Sequence, residues 1–227
     1  MSLQRNNMDE FFQWVATRRK EIDQLPEHFR RILLLSLLDT LSKCAFPKER
    51  TNRKRFVDLI DHYSCWKYED YVSLSQLRYL LLEAEGCEDL KREVESRISR
   101  WPHGRILRPD EVDPHLNELD RFRCGIWQEQ IERARYPSLL WRMRNLAVHE
   151  FRNPGKGWAI SNDNSTPYYH GYLEQAQSGS FKTWELYMSC EVVSRIVQKC
   201  SENLKAQFEQ KGFDPYESFT FGSSWYA

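Results

Sequence analysis

Proline and glycine cut much of this 227-residue chain into helix-length pieces, and most pieces carry apolar residues at helical spacing. MDEFFQWVATRRKEIDQL stops before Pro26 and sets Phe11, Phe12 and Val15 on one side. PEHFRRILLLSLLDTLSKCAF opens at Pro26 and closes before Pro47. In it Phe29, Leu33, Leu37 and Leu41 recur at fourfold spacing, which predicts one apolar stripe. NRKRFVDLIDHYS and YEDYVSLSQLRYLLLEAEG predict two more helices, the second ended by Gly86, and CEDLKREVESRISR reads as a polar, charged helix stopped by WPHG. RPDEVDPHLNELDRF is irregular and then turns helical through WQEQIERARY. A chain built of such pieces buries its stripes by packing helix on helix.

The pattern changes after Asn153. NPGKGWAISNDNSTP has loop composition. YYHGYLEQ and FKTWELYM flank AQSGS with aromatic and β-favouring residues, Tyr168, Tyr169 and Tyr172 among them, and predict a β-hairpin. Ser189 is placed to cap a last long helix, CEVVSRIVQKCSENLKAQFEQKG, with Gly212 just past its end. The tail FDPYESFTFGSSWYA is rich in aromatics and is expected to fold back on the body or to cover a partner. The expectation is an all-α fold over residues 1–227, one domain, with a small β-hairpin inserted before the last helix.

Charge narrows the function classes. Lys and Arg number 33 and Asp and Glu 33, so the chain is not a basic nucleic-acid coat and an anion site has to be local. Such an excess lies between Arg121 and Ile160, with eight Arg or Lys against three Glu. The start MSLQRNNMDEFF is polar and acidic rather than a secretory leader, and the apolar run ILLLSLL is too short for a bilayer span. Cys44, Cys65, Cys87, Cys124, Cys190 and Cys200 are scattered, without zinc spacing, and read as reduced thiols of a cytoplasmic protein. No metal and no cofactor are expected.

The stretch YPSLLWRMRNLAVHEFRNPG, Tyr136 to Gly155, concentrates the chemistry. Pro137 suits a first helical turn and Asn153-Pro154-Gly155 signals a stop. Leu140, Met143 and Ala147 mark an apolar face, while Arg142, Asn145, His149 and Arg152 follow a three-four-three spacing that makes a polar stripe, with Arg144 beside it. Arginine can grip a phosphate with two donors, and a histidine can take or give a proton.

RNLAVH, Arg144 to His149, resembles the signature of the HEPN superfamily: an arginine, a polar residue next to it, and a histidine a few positions on. The resemblance implies an α-helical bundle, a homodimer, and a metal-independent ribonuclease of toxin–antitoxin or other defence systems, with RNA as substrate and an antitoxin protein as a further partner. It assigns Arg144 and His149 as catalytic, with Asn145 at the polar position; Arg142 and Arg152 on the same stretch are candidate substrate-binding residues. Arg55 to His62, Arg97 to His103, Arg108 to His115 and Arg142 to His149 share the spacing, but only Arg144 is followed by a polar residue. An alternative function for the same fold is a non-catalytic HEPN module binding a nucleotide or a protein. Positions five apart on a helix differ by about 140°. Either Arg144 reaches around to His149 with its long stem, or a twofold axis completes the site.

Overall fold

The helical pieces fold as the punctuation predicts. A computed structural model describes residues 2–82, 84–122, 126–155, 165–176 and 179–217. It is mostly helical, with one small antiparallel hairpin ahead of the last long helix. The chain has two compact units, Met1–Trp66 with Val193–Ala227, and Lys67–Val192.

The first unit holds α1 (Ser2–Ile22), α2 (Glu27–Ala45), α3 (Asn52–Tyr63) and most of α9 (Cys190–Lys211). Phe11, Phe12 and Val15 of α1 are buried as expected, and Phe11 stands edge-on to Tyr216. The stripe of α2 is a correction. Leu37 and Leu41 are buried, but Phe29 is 51% exposed and Leu33 41%. Fourfold spacing advances about 40° per step around a helix, so Phe29 lies about 120° from Leu41. The buried face runs instead through Leu34, Leu35, Leu38 and Leu41, with Arg31 buried against Glu27 at 2.6 Å.

The second unit holds α4 (Leu74–Leu82), α5 (Glu88–Ile98), α6 (Pro109–Val112), α7 (Ile126–Ala134), α8 (Tyr136–His149) and the strands β1 (Tyr168–Ala176) and β2 (Gly179–Tyr187). α4 starts later than its pattern predicts. Tyr71 and Val72 form bridges to His115 and Arg135, and the helix begins where Ser73 Oγ accepts the Gln76 N–H and Asp113 Oδ1 accepts the Leu74 N–H. α5 is less polar in use than in composition: Leu90, Val94 and Ile98 form a buried stripe. These side chains join Leu77, Leu107, Ile131 and Trp101 in a core that the hairpin closes with Tyr169 and Trp184.

In the hairpin Tyr168 faces Tyr187, Tyr169 faces Leu186 and His170 faces Glu185. α9 begins as expected, with Ser189 Oγ accepting the Val192 N–H at 3.2 Å, and Gly212 follows its end at φ 68°. The last ten residues of the aromatic tail lie outside the described residues, as does Cys124. Among the described residues Cys44, Cys65, Cys87, Cys190 and Cys200 form no disulfide. Among the described residues no helix is long and apolar enough to cross a membrane.

Candidate functional site

α8 buries Leu139, Leu140, Met143, Leu146 and Ala147 and leaves Trp141, Arg144, Asn145 and Val148 half-buried, with Arg142 and His149 exposed. Pro137 sits in its first turn, where a missing N–H removes no helical bond. The helix ends ahead of the Asn153-Pro154-Gly155 signal. Phe151 takes a left-handed φ of 55°, and the N–H groups of Glu150 and Arg152 both turn back to Leu146 O, at 3.1 and 3.2 Å.

The structure brings Arg144, Asn145 and His149 together in one chain. Arg144 Nη1 donates to His149 Nε2 at 2.9 Å and to Asn145 Oδ1 at 3.1 Å. Within one chain the long stem of Arg144 reaches around to His149. Guanidinium has no acceptor, so Nε2 is the accepting nitrogen and a neutral ring carries its proton on Nδ1. The guanidinium carbon also stands 5.1 Å from the centroid of Trp141, one turn back. Trp141 is a site residue that the motif does not name, although its i, i+3 relation to Arg144 is legible.

The rest of the expected stripe is not gathered. Arg152 Nε pairs with Glu150 at 2.6 Å, and Arg142 is exposed, with no hydrogen bond or ion pair among the described residues. At the competing matches Arg55 bonds Asn52 at 2.7 Å, Arg97 bonds Glu93 and Glu118, and His62 Nδ1 lies 2.8 Å from Asp58 O.

Both ends of the stretch are tied to the hairpin. At the start, the Tyr136 hydroxyl donates to Asp113 Oδ2 at 2.7 Å, and the Tyr169 hydroxyl lies 2.7 Å from both Asp113 Oδ2 and Ser73 Oγ. Burial pushes the Asp113 carboxyl up to about 7 against the pull of these donors and of the Leu74 N–H. Burial, with Asp113 adding to it, raises both tyrosines well above their ordinary range. At the exit, Gly155 (φ 64°) lies against the Glu185 carboxyl, and Glu185 Oε2 is 3.6 Å from His170 Nε2. Burial lowers the His170 pKa, and the Glu185 charge opposes it. Neither cluster has a motif: their members meet through α4, the segment after α6 and the strand register.

Among the described residues no three His, Cys, Asp or Glu side chains are grouped so as to hold a metal ion. What α8 presents is a fixed cation beside an imidazole at an exposed helix end, an arrangement suited to a phosphodiester. No protein family, curated protein or solved structure compared with the chain matches it.

Proposed function

We propose that this protein is a HEPN-type endoribonuclease that cuts single-stranded or looped RNA without a metal, acting in the cytoplasm in a toxin–antitoxin or defence system. The observation that carries the reading is the Arg144 Nη1 to His149 Nε2 bond, 2.9 Å, with Asn145 completing the cluster. In the reaction, His149 takes the proton of the 2′-hydroxyl, whose oxygen attacks the adjacent phosphorus. The bond from phosphorus to the 5′-oxygen breaks, and that oxygen is protonated. Arg144 holds the phosphate and offsets charge that grows in the transition state. Two proton transfers call for two acid–base groups, which a symmetric homodimer supplies as two copies of His149.

The test is cleavage of defined RNA by the purified protein in EDTA. The expected products are a 2′,3′-cyclic phosphate (or its hydrolysis product) and a 5′-hydroxyl, with DNA left intact. His149→Ala should lower the rate by about a hundred- to ten-thousandfold, the usual worth of general acid–base help. Products with a 5′-phosphate, or full activity in His149→Ala, would overturn the mechanism. A second reading rests on the same bond: Arg144 occupies the nitrogen that a base needs. A site resting that way suits a module that binds a nucleotide or a protein, and wild-type protein that cuts no RNA but binds a nucleotide or a protein at this face would favour that module.

A further inference from the structure

A second local excess of positive charge lies in the first unit, where α2 turns into α3. From Lys48 to Arg55 five Lys or Arg stand against one Glu, in a chain of zero net charge. The structure divides the five into two groups. Lys54 and Arg55 are engaged within the turn. Lys54 Nζ pairs with Asp58 at 2.6 Å and with Glu49 at 3.4 Å, and Arg55 donates to Asn52 Oδ1 at 2.7 Å and to Glu49 O at 3.4 Å. Glu49 Oε1 also accepts the Thr51 N–H at 3.1 Å, so the one carboxylate of the turn is engaged as well. Lys48, Arg50 and Arg53 are exposed and make no hydrogen bond or ion pair among the described residues. The turn that carries them is anchored by Phe46, whose ring centroid stands 5.9 Å from that of His62 and 6.1 Å from that of Tyr63.

Folding does not account for these cations. Lys20, Lys43 and Lys211 lie in the last turns of α1, α2 and α9, where the helix dipole favours positive charge. α3 does the reverse. Arg53, Lys54 and Arg55 open it, its first turn holds no acidic residue, and Thr51 caps nothing because its hydroxyl donates to Glu49 Oε1 at 3.2 Å. A cation at that end opposes the dipole, so Arg53 lowers stability instead of adding to it. We propose that Lys48, Arg50 and Arg53 form a contact surface for the phosphodiester backbone of single-stranded RNA, on residues distinct from the α8 cluster. Three separate cations held on an anchored turn complement successive phosphates, and they recognise backbone charge, not base identity. Their part in catalysis rests on the ribonuclease reading; the binding itself does not.

The experiment titrates the full chain with labelled single-stranded DNA, which carries the same phosphates and no 2′-hydroxyl, and follows fluorescence anisotropy at several salt concentrations. A single strand contributes a slope of about −0.7 per phosphate contact to log affinity against log salt, so Lys48→Ala, Arg50→Ala and Arg53→Ala together should make the slope shallower by about 2. Affinity at about 0.1 M salt should fall roughly tenfold or more. Tm should stay at or above wild type, since a charge opposing the dipole has gone. Arg50→Lys with Arg53→Lys keeps the charges and should keep the slope. Lys20→Ala with Lys211→Ala removes exposed cations elsewhere in the same unit and should change the slope by less than about 0.5. An unchanged slope in the triple variant, an equal change in the Lys20 and Lys211 control, or a fall in Tm would each overturn the patch. So would binding to phosphatidylserine vesicles that the triple variant loses while its DNA binding is unaltered, which would give the patch to a membrane surface. With RNA as substrate the triple variant should raise KM by the same factor as it weakens DNA binding; an unchanged KM would overturn the docking role. If wild-type protein cuts no RNA, the ribonuclease reading fails and the DNA titrations still decide the patch.

Discussion

The two ends of the α8 stretch are secured by neighbouring residues of one strand, in opposite ways. Tyr169 points to one face of the hairpin and joins a buried network in which Asp113 takes three donors, from Tyr136, Tyr169 and Leu74. His170 points to the other face, beside the rings of Tyr168 and Tyr172, with Glu185 Oε2 3.6 Å from its Nε2. The entry is held by a buried hydrogen-bond network; at the exit Gly155 lies close against the Glu185 carboxyl. Satisfied buried networks fix one arrangement firmly, whereas His170, whose ring nitrogens have no hydrogen-bond partner among the described residues, adds no such hold at the exit. The end that carries His149 is thus the more easily shifted.

Breaking the entry should have the largest effect. Asp113→Ala leaves two tyrosine hydroxyls and the Leu74 N–H without their acceptor, and should destabilise the protein by about 3–4 kcal/mol. Urea unfolding would measure it; a loss below about 1 kcal/mol would remove the contrast with the exit.

The pH dependence separates the ends by sign. Asp113 titrates near 7 when folded and near 4 when unfolded, so the folded state binds the extra proton in between. Its contribution is full at low pH and falls as pH rises toward 7, by at most roughly 4 kcal/mol. His170 is lowered, so its contribution is present above the ordinary histidine value, about 6.5, and is lost as pH falls. Unfolding measured from pH 4 to 8 should show a steeper acid loss in Asp113→Asn than in wild type, and a shallower one in His170→Gln. Parallel curves for all three proteins would refute the assignment.

The smallest effect should come from Arg142→Ala, at an exposed side chain. Stability should stay within about 0.5 kcal/mol of wild type, and KM for RNA should rise no more than about threefold. A larger rise would show that the exposed arginine is a main phosphate contact beside Arg144.

Much of the fold is legible in the sequence because helices announce themselves locally. Pro26, Pro47 and Pro137 mark their bounds, and Ser189 and Gly212 frame α9, while α4 ends at Leu82, ahead of Gly86. The stripe of α2 is misread because ILLLSLL is apolar all round and lets more than one spacing fit. The Arg144–Asn145–His149 cluster is equally local, six residues of one helix. Asp113, Tyr136 and Tyr169 could not be joined from sequence, since the strand register and the start of α4 bring them together. His170 and Glu185 likewise become opposites only once the hairpin turn is counted.

Adjacent placement of Tyr169 and His170 makes the hairpin check its own alignment. A slip of β1 by one position turns every side chain to the other face. A slip that moves His170 into the place of Tyr169 would carry an imidazole toward the carboxylate of Asp113 and set Gly171 opposite Glu185, exchanging a donor that fits for a ring that does not. Trp184, which closes the core beside Tyr169, would leave its place if β2 slipped instead. The correct pairing is therefore the one in which chemistry and shape both agree, and the helix bearing the candidate site inherits that alignment at its two ends.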